Sequence, residues 1–303
     1  MARRAALFAG QGAQYVGMGR SLIERWPGAR ELFAAASEQL GYDLLELCLN
    51  GPAERLDTTE VSQPAIFVAS LAALEEARRQ GADWLETVEA AAGLSLGEYT
   101  ALVFAGALSF EDGLRLVIER GRAMQAAADQ SPSGMASILG ASHEQVEALC
   151  ERVADRGRLW IANLLCPGNI VVSGDRSALE ALEEIVEAEG AGLRCVRLAV
   201  AGAFHTELME PARQRLADAI ADVSFRDAQV PVYANVDAAP HQSAAEFPEL
   251  LLKQLTCPVL WEQSLRAMLA AGVEEFVEIG PKRVLRGLLR RVDRKVRCKN
   301  VEV

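Results

Sequence analysis

Histidine is scarce in this chain of 303 residues. Only His143, His205 and His241 occur, far apart, and no H-E-x-x-H pair is present. The six cysteines (Cys48, Cys150, Cys166, Cys195, Cys257 and Cys298) are just as scattered, with no C-x-x-C among them. These shortages exclude the familiar structural and catalytic metal sites, which need His or Cys at fixed short intervals. No metal is therefore expected. Cysteines spread this way through a long chain read as reduced thiols, which implies a cytoplasmic setting. No apolar run approaches the roughly 18 residues that a membrane span needs. The stretch Ala5 to Ala9 is too short for a signal-peptide core. A soluble protein with no membrane partner is expected. Low-complexity segments and internal repeats are also lacking. A net positive charge is missing as well: the balance is −11, whereas nucleic-acid binding needs a basic surface to displace counterions.

What is present is a large apolar fraction, 50% of residues, enough for one large domain or one domain with a smaller insertion. The charge is uneven. Residues 281–303 hold nine Lys/Arg (Lys282, Arg283, Arg286, Arg290, Arg291, Arg294, Lys295, Arg297, Lys299) against Asp293 and Glu302. That is +7, leaving −18 for the rest. A solvated C-terminal helix with cations near its end accounts for this tail. A docking patch for an acidic partner, with Arg3 and Arg4 joining it, is the alternative.

Residues 5–9 read as a short buried strand that ends in the loop Gly10-Gln11-Gly12-Ala13-Gln14. The loop does not complete a dinucleotide fingerprint, because Tyr15 stands where a glycine is needed. Helical patterns follow at about 18–40 and 63–80, the second starting near Pro64. Ser109 with Asp112 resembles a capping box and opens a helix to about Ala128. Leu114, Val117, Ile118 and Gly121 form its apolar stripe, with Arg120 off that stripe. From Ser131 the rhythm changes to strand 135–139, helix 142–156, strands 159–164 and 170–173, helix 176–189 and strand 193–200. This β-α-β-β-α-β order is ferredoxin-like. The expected architecture is α/β: a large α/β-hydrolase-like domain with a parallel sheet (1–130 and 199–303) and an inserted small ferredoxin-like domain (131–198). The large domain resumes with a helix at 207–222, a strand at 230–235, a helix at 260–271 and the strand Glu275–Ile279.

The segment Gly93-Leu94-Ser95-Leu96-Gly97-Glu98 is a G-x-S-x-G pattern between an apolar strand and a helix-like stretch. A serine hydroxyl becomes a useful nucleophile when a sharp strand-to-helix turn presents it, and glycines on either side leave room for the crossing. The helix start behind it aims backbone N–H groups at an oxyanion formed near the serine. Ser95 then needs a base. His143 and His241 lie in polar, loop-like contexts. His205 follows a strand that returns the chain to the large domain, where α/β active sites form. No carboxylate stands out as the group that orients it. Gln254 precedes a proline-bounded turn whose backbone carbonyls suit an imidazole N–H.

Together, separated segments are similar to those of malonyl-CoA:acyl carrier protein transacylases. These are Gly10 to Gln14, Gly93 to Tyr99, Arg120-Gly121 with Met124-Gln125, Gly202-Ala203-Phe204-His205, and Gln254 ahead of Pro258-Val259-x-Trp261. Asn235-Val236-Asp237 and Glu278-Ile279-Gly280-Pro281 agree too. The resemblance implies an acyltransferase with no cofactor, whose substrate is a coenzyme A thioester. Ser95 would attack malonyl-CoA while His205 takes its proton, and the thiol of acyl carrier protein would then receive malonyl for fatty acid biosynthesis. It implies an oxyanion hole from the N–H groups of Leu96 and Gln11. It also implies an ion pair from Arg120 to the malonyl carboxylate, orientation of His205 by the main-chain carbonyl of Gln254, and pocket positions at Met124, Phe204 and Asn163. A monomer is expected.

The chain departs from the family at three places. Leu94 replaces a frequent His, Leu165 a frequent second Asn, and Lys282 a common Gly. Phe204 before His205 is similar to malonyl-selective members. Three rivals stand beside this reading, one of them a non-enzymatic acyl-carrier-binding scaffold with a dead site, which the complete set of Ser95, His205 and Arg120 disfavours. A free-standing acyltransferase of a polyketide synthase shares the chemistry and differs only in its carrier. A serine esterase or lipase would place an acidic triad member between Ser95 and His205 and would not require Arg120.

Overall fold

The computed structural model describes residues 2–190 and 192–303. Its elements run β1 (Arg4–Phe8), α1 (Arg20–Arg25), α2 (Ala29–Leu40), α3 (Leu44–Asn50), α4 (Ala53–Leu56), α5 (Thr59–Arg79), β2 (Val88–Gly93), α6 (Gly97–Phe104) and α7 (Phe110–Ala128). Then come β3 (Ser133–Leu139), α8 (His143–Arg152), β4 (Leu159–Cys166), β5 (Asn169–Asp175), α9 (Arg176–Glu189), β6 (Arg194–Arg197) and α10 (Glu210–Ala221). The last are β7 (Val232–Tyr233), β8 (Pro240–His241), α11 (Phe247–Thr256), α12 (Trp261–Ala270), β9 (Glu275–Ile279), α13 (Val284–Val292) and β10 (Arg297–Val301).

Ala5 to Phe8 and Ala90 to Gly93 carry no side chain suited to water on either face. Both are buried in the middle of a six-stranded sheet of order β10-β9-β1-β2-β7-β8. All pairings are parallel except β7 with the edge strand β8. Helices cover both faces, as parallel strands joined by helical crossovers require. Phe8 pairs with Gly93 on one side and Ile279 on the other, so the loops after β1, β2 and β9 leave from one edge. The second sheet is antiparallel, of order β4-β5-β3-β6. With α8 and α9 it makes the expected ferredoxin-like arrangement, and its own apolar cluster includes Ala136, Val146, Val172, Leu179 and Leu182. Among the described residues, no helix is long and apolar enough to cross a membrane.

The strand expected at 230–235 is only Val232–Tyr233, and α3, α4, β8 and α11 have no counterpart in the sequence reading. Three further differences have a definite cause. The pattern at 18–40 is two helices, because Pro27 forces Trp26 to an extended φ of −138° and ends α1. Helix α5 begins at Thr59 and carries Pro64 inside it. A proline commonly marks a first turn, but here the first-turn Thr59 N–H, which has no partner within the helix, donates to Gln125 Oε1 of α7 at 3.1 Å. A cap supplied from a helix some 60 residues away leaves no local signal. The basic tail is not one helix: after α13 the chain extends into β10, parallel to β9.

The two sheets are joined by backbone. Leu164 N–H donates to Val259 O at 2.9 Å and Val259 N–H to Ala162 O at 2.8 Å, a parallel bridge at Asn163. Ser173 Oγ donates to Phe204 O at 2.8 Å, and Ala203 N–H to Ser133 Oγ at 3.2 Å. The carboxyl edge of the large sheet therefore faces the small sheet across a fixed seam.

Candidate active site

The turn between β2 and α6 is as tight as its glycines allow. A Cβ on Gly93 would lie 1.8 Å from the Gly97 carbonyl carbon, and one on Gly97 would lie 2.2 Å from Phe8 O. Strand, turn and helix cross with no room for either. Ser95 sits at the apex with φ 51°, and His205 faces it with φ 61°. Non-glycine residues in this region cost of order 1–3 kcal/mol each, and such strain collects at functional sites.

Ser95 Oγ lies 2.9 Å from His205 Nε2. His205 Nδ1 lies 2.7 Å from Gln254 O. A carbonyl only accepts, so Nδ1 carries the proton and Nε2 is left to accept from the serine hydroxyl. Burial and the nearby charge of Arg120 lower the His205 pKa to about 4, against the smaller upward pull of the Gln254 bond. The imidazole is therefore neutral near neutral pH, as a proton acceptor must be. Its partner is a carbonyl, where an esterase triad would have a carboxylate. The N–H groups of Gln11 and Leu96 have no acceptor among the described residues. Gln11 lines the cavity in front of Ser95, and Leu96 opens α6 behind it. Two such donors suit a developing oxyanion.

Arg120 is 1% exposed, although it stands off the apolar stripe of α7. Its guanidinium donates to Gln63 Oε1 at 2.8 Å, Ser95 Oγ at 2.9 Å and Gln254 Oε1 at 2.9 Å, and it lies 5.4 Å from the centre of the Tyr99 ring. Each of those oxygens is neutral. Nε has no hydrogen-bond partner among the described residues. Burial lowers the Arg120 pKa, while Tyr99 and Glu98 oppose this. A buried cation without a carboxylate in contact is costly, and its charge is available to an anion that enters.

The cavity in front of Ser95 has a volume of about 310 Å³. The loops and helices around the large sheet contribute Gln11, Leu94, Phe204, His205 and Leu288, and the small sheet contributes Met135, Ser137, Asn163, Leu165, Asn169 and Val171. Phe204 and Asn163 line it, and Asn163 Oδ1 is buried with no partner among the described residues. Met124 does not line it. That side chain is 1% exposed, and its sulfur accepts from Gln63 Nε2 at 3.5 Å, one layer behind Arg120. Leu165 places a hydrocarbon wall where an amide would otherwise hydrogen-bond. Lys282 takes φ 61°, the conformation that favours the glycine it replaces, and its Nζ donates to Gly12 O at 3.1 Å.

Four residues without an assigned role prove central. Asn235 Oδ1 accepts from Ser95 N–H at 2.7 Å, and its Nδ2 donates to Gly93 O at 2.8 Å. Glu98 accepts from Asn235 N–H and Gln254 Nε2. Gln63 and Tyr99 flank the Arg120 guanidinium. The signal for Glu98 and Tyr99 lay within the Gly93–Tyr99 segment itself. His143 and His241 are elsewhere. His143 is exposed beside Glu147, and His241 is held between Asp237 and Glu246.

The basic tail divides likewise. Arg283 pairs with Glu302, Arg291 donates to Pro167 O at 3.0 Å, and Arg286 and Arg290 lie on α13, whose Val284 and Leu288 line the cavity. Arg3 and Arg4 are at the opposite, amino end of β1, paired with Glu89 and Glu275, so they cannot join a patch at the cavity mouth.

The acyl transferase domain family matches residues 6–302. The malonyl CoA-acyl carrier protein transacylase of Bacillus subtilis is 42% identical over 298 residues, 98% of this chain and 92% of the relative. The solved malonyl-CoA:acyl carrier protein transacylase of Xanthomonas oryzae pv. oryzae has a TM-score of 0.94 at 39% identity, covering 100% of this chain and 95% of that one. A solved malonyl-transacylase in complex with its type II PKS acyl-carrier protein has a TM-score of 0.93 at 37% identity, covering 99% and 96%. The match over nearly all of the sequence agrees with the geometry around Ser95, and the chain belongs to the acyl transferase family, alongside the malonyl-CoA-acyl carrier protein transacylases.

Proposed function

We propose that this protein moves malonyl from malonyl-CoA to the phosphopantetheine thiol of an acyl carrier protein, for fatty acid synthesis, through a malonyl ester on Ser95. The observation that carries this reading is the buried Arg120 guanidinium, which touches Ser95 Oγ and is held only by neutral oxygens. A site for an uncharged acyl group has no use for it. In the first half-reaction His205 Nε2 takes the Ser95 proton while Oγ bonds to the thioester carbon. The oxyanion rests on the Gln11 and Leu96 N–H groups. Coenzyme A leaves as the thiol, protonated from His205. In the second half the carrier thiol gives its proton to His205 and attacks the ester, and Ser95 regains its hydrogen. Throughout, Arg120 pairs with the free carboxylate and keeps the acyl group in register.

The second wall of the cavity belongs to a unit that we bound at residues 131–198, within a large unit of 1–130 and 199–303. Its buried cluster draws on nothing outside that range. A cytoplasmic location suits the six free cysteines. A polyketide carrier is the second reading, favoured by the structural neighbour that binds one.

The test is intact mass after brief incubation with malonyl-CoA, beside S95A. An adduct of about 86 Da, the mass of the malonyl acyl group, is expected on the parent alone, and its loss on adding holo acyl carrier protein. An adduct with simple esters but none with malonyl-CoA would sink the reading.

A further inference from the structure

Behind Ser95 the chain buries a carboxylate that neither half-reaction uses. Glu98 lies in the first turn of α6 and is 3% exposed. One oxygen, Oε2, accepts from Asn235 N–H at 3.0 Å and from Gln254 Nε2 at 2.8 Å. Asn235 holds the Ser95 turn through Ser95 N–H and Gly93 O. Gln254 holds His205 through its carbonyl and Arg120 through Oε1. Turn, base and guanidinium are each one residue away from the same carboxylate oxygen.

The sense of the Gln254 amide follows. Its NH2 faces acceptors, Glu98 Oε2 and Ser95 O (3.0 Å), so its oxygen must face Arg120. The amide lies between a buried cation and a buried anion that do not touch. A direct pair would give Arg120 a resident carboxylate, and an incoming carboxylate would have to displace it. We propose that Glu98 is a positioning residue that orients the Gln254 amide and balances the charge of Arg120 at one remove, leaving the guanidinium open to the substrate's carboxylate. The inference rests on the malonyl reading given above.

The charged and titratable groups around Glu98 are Arg120 from α7, Tyr99 from its own helix, Asp237 from the turn after Asn235, and His205 across Gln254. Burial pushes the Glu98 carboxyl up to about 7, while the bonds from Gln254 and Asn235 and the charge of Arg120 hold it down. Above that range the carboxylate is present as counter-charge.

E98Q is the discriminating variant. Its amide oxygen can replace Oε2 towards both donors, so only the charge is removed. With Arg120 unbalanced, the KM for malonyl-CoA should fall roughly 3- to 10-fold, while the inhibition constant of acetyl-CoA as a competitor stays unchanged. A purely structural role would move both together. An equal change, no change, or a rise for malonyl-CoA overturns the inference. If E98Q does not fold, E98Q/R120Q, neutral at both ends, should recover a cooperative thermal transition, and failure to recover it overturns the inference too. Malonylation of Ser95 is measured on the parent in parallel. Its absence removes the functional reading and this inference with it. Its presence alongside unselective E98Q kinetics removes this inference alone.

Discussion

The Arg120 guanidinium donates to Ser95 Oγ at 2.9 Å, so the group that would recognise an acid touches the oxygen that would carry it. Arg120→Ala should therefore cost roughly 10- to 100-fold in kcat/KM for malonyl-CoA, the range of a charge-assisted pair, and raise relative activity towards acetyl-CoA. Unchanged preference between the two thioesters would remove Arg120 from acyl recognition.

Gln254 separates backbone from side chain. Its carbonyl, which orients His205, survives in Gln254→Ala, while Arg120 and Glu98 lose their shared amide. We expect a stability loss of about 1–3 kcal/mol from the unpaired buried groups. The malonyl-enzyme should still form, more slowly than in the parent, whereas Ser95→Ala forms none. Rapid-quench mass measurement distinguishes these cases, and a Gln254→Ala protein as inert as Ser95→Ala would contradict the backbone role.

The pH dependence has a defined sign. In the proposed mechanism His205 is the neutral base, and its pKa is lowered to about 4, mainly by burial. The acid limb of kcat/KM should thus fall well below the ordinary histidine value of about 6.5. Because the unfolded chain binds this proton more readily, the contribution of His205 to stability is present above about 6.5 and is lost as pH falls towards 4. An acid limb centred near 6.5 would refute the assignment.

His241 has the opposite sign. Burial lowers its pKa, but hydrogen bonds and charge from Glu246 and Asp237 outweigh this and raise it. Its stabilisation is full below the unfolded value of about 6.5 and is lost as pH rises through the higher folded value. Denaturant midpoints of the parent and His241→Gln should differ most at pH 6 and converge by pH 9. A difference that does not vary with pH would rule out the charged clamp.

Helix α13 borders the cavity and carries Arg286 and Arg290, with Arg294 just beyond it. Reversing these three charges should raise the KM for an acidic carrier protein about tenfold and leave that for malonyl-CoA unchanged. If both constants hold, the carrier docks elsewhere.

Local chemistry was legible in the sequence. The run before Ser95, the Ser109 cap and the alternation from Ser131 onward each encode their own element, and helix 176–189 and strand Glu275–Ile279 lie where their patterns place them. Ser95 and His205 followed from a turn and a strand end. Arg120 did not, because a lone arginine off an apolar stripe has the pattern of a surface residue. Its burial depends on Gln63 and Gln254, which are 57 and 134 residues away. Asn235 and Glu98 stood in segments the sequence singled out, but their pairing did not show: their bonds span 140 and 137 residues, and no periodicity records it. The start of α5 and the strand β10 likewise depend on partners distant in sequence.

In the proposed mechanism every group that makes or breaks a bond comes from outside the stretch 133–197, although Ser133 and Ser173 tie down the Ala203-Phe204 backbone beside His205. That stretch supplies one wall: Met135, Ser137, Asn163, Leu165, Asn169 and Val171. One wall of the cavity is thus written in a different part of the chain from Ser95, His205 and Arg120. Side chains on the strands facing Ser95 can change the shape of that wall while the backbone seam to Val259 and Phe204 stays in place.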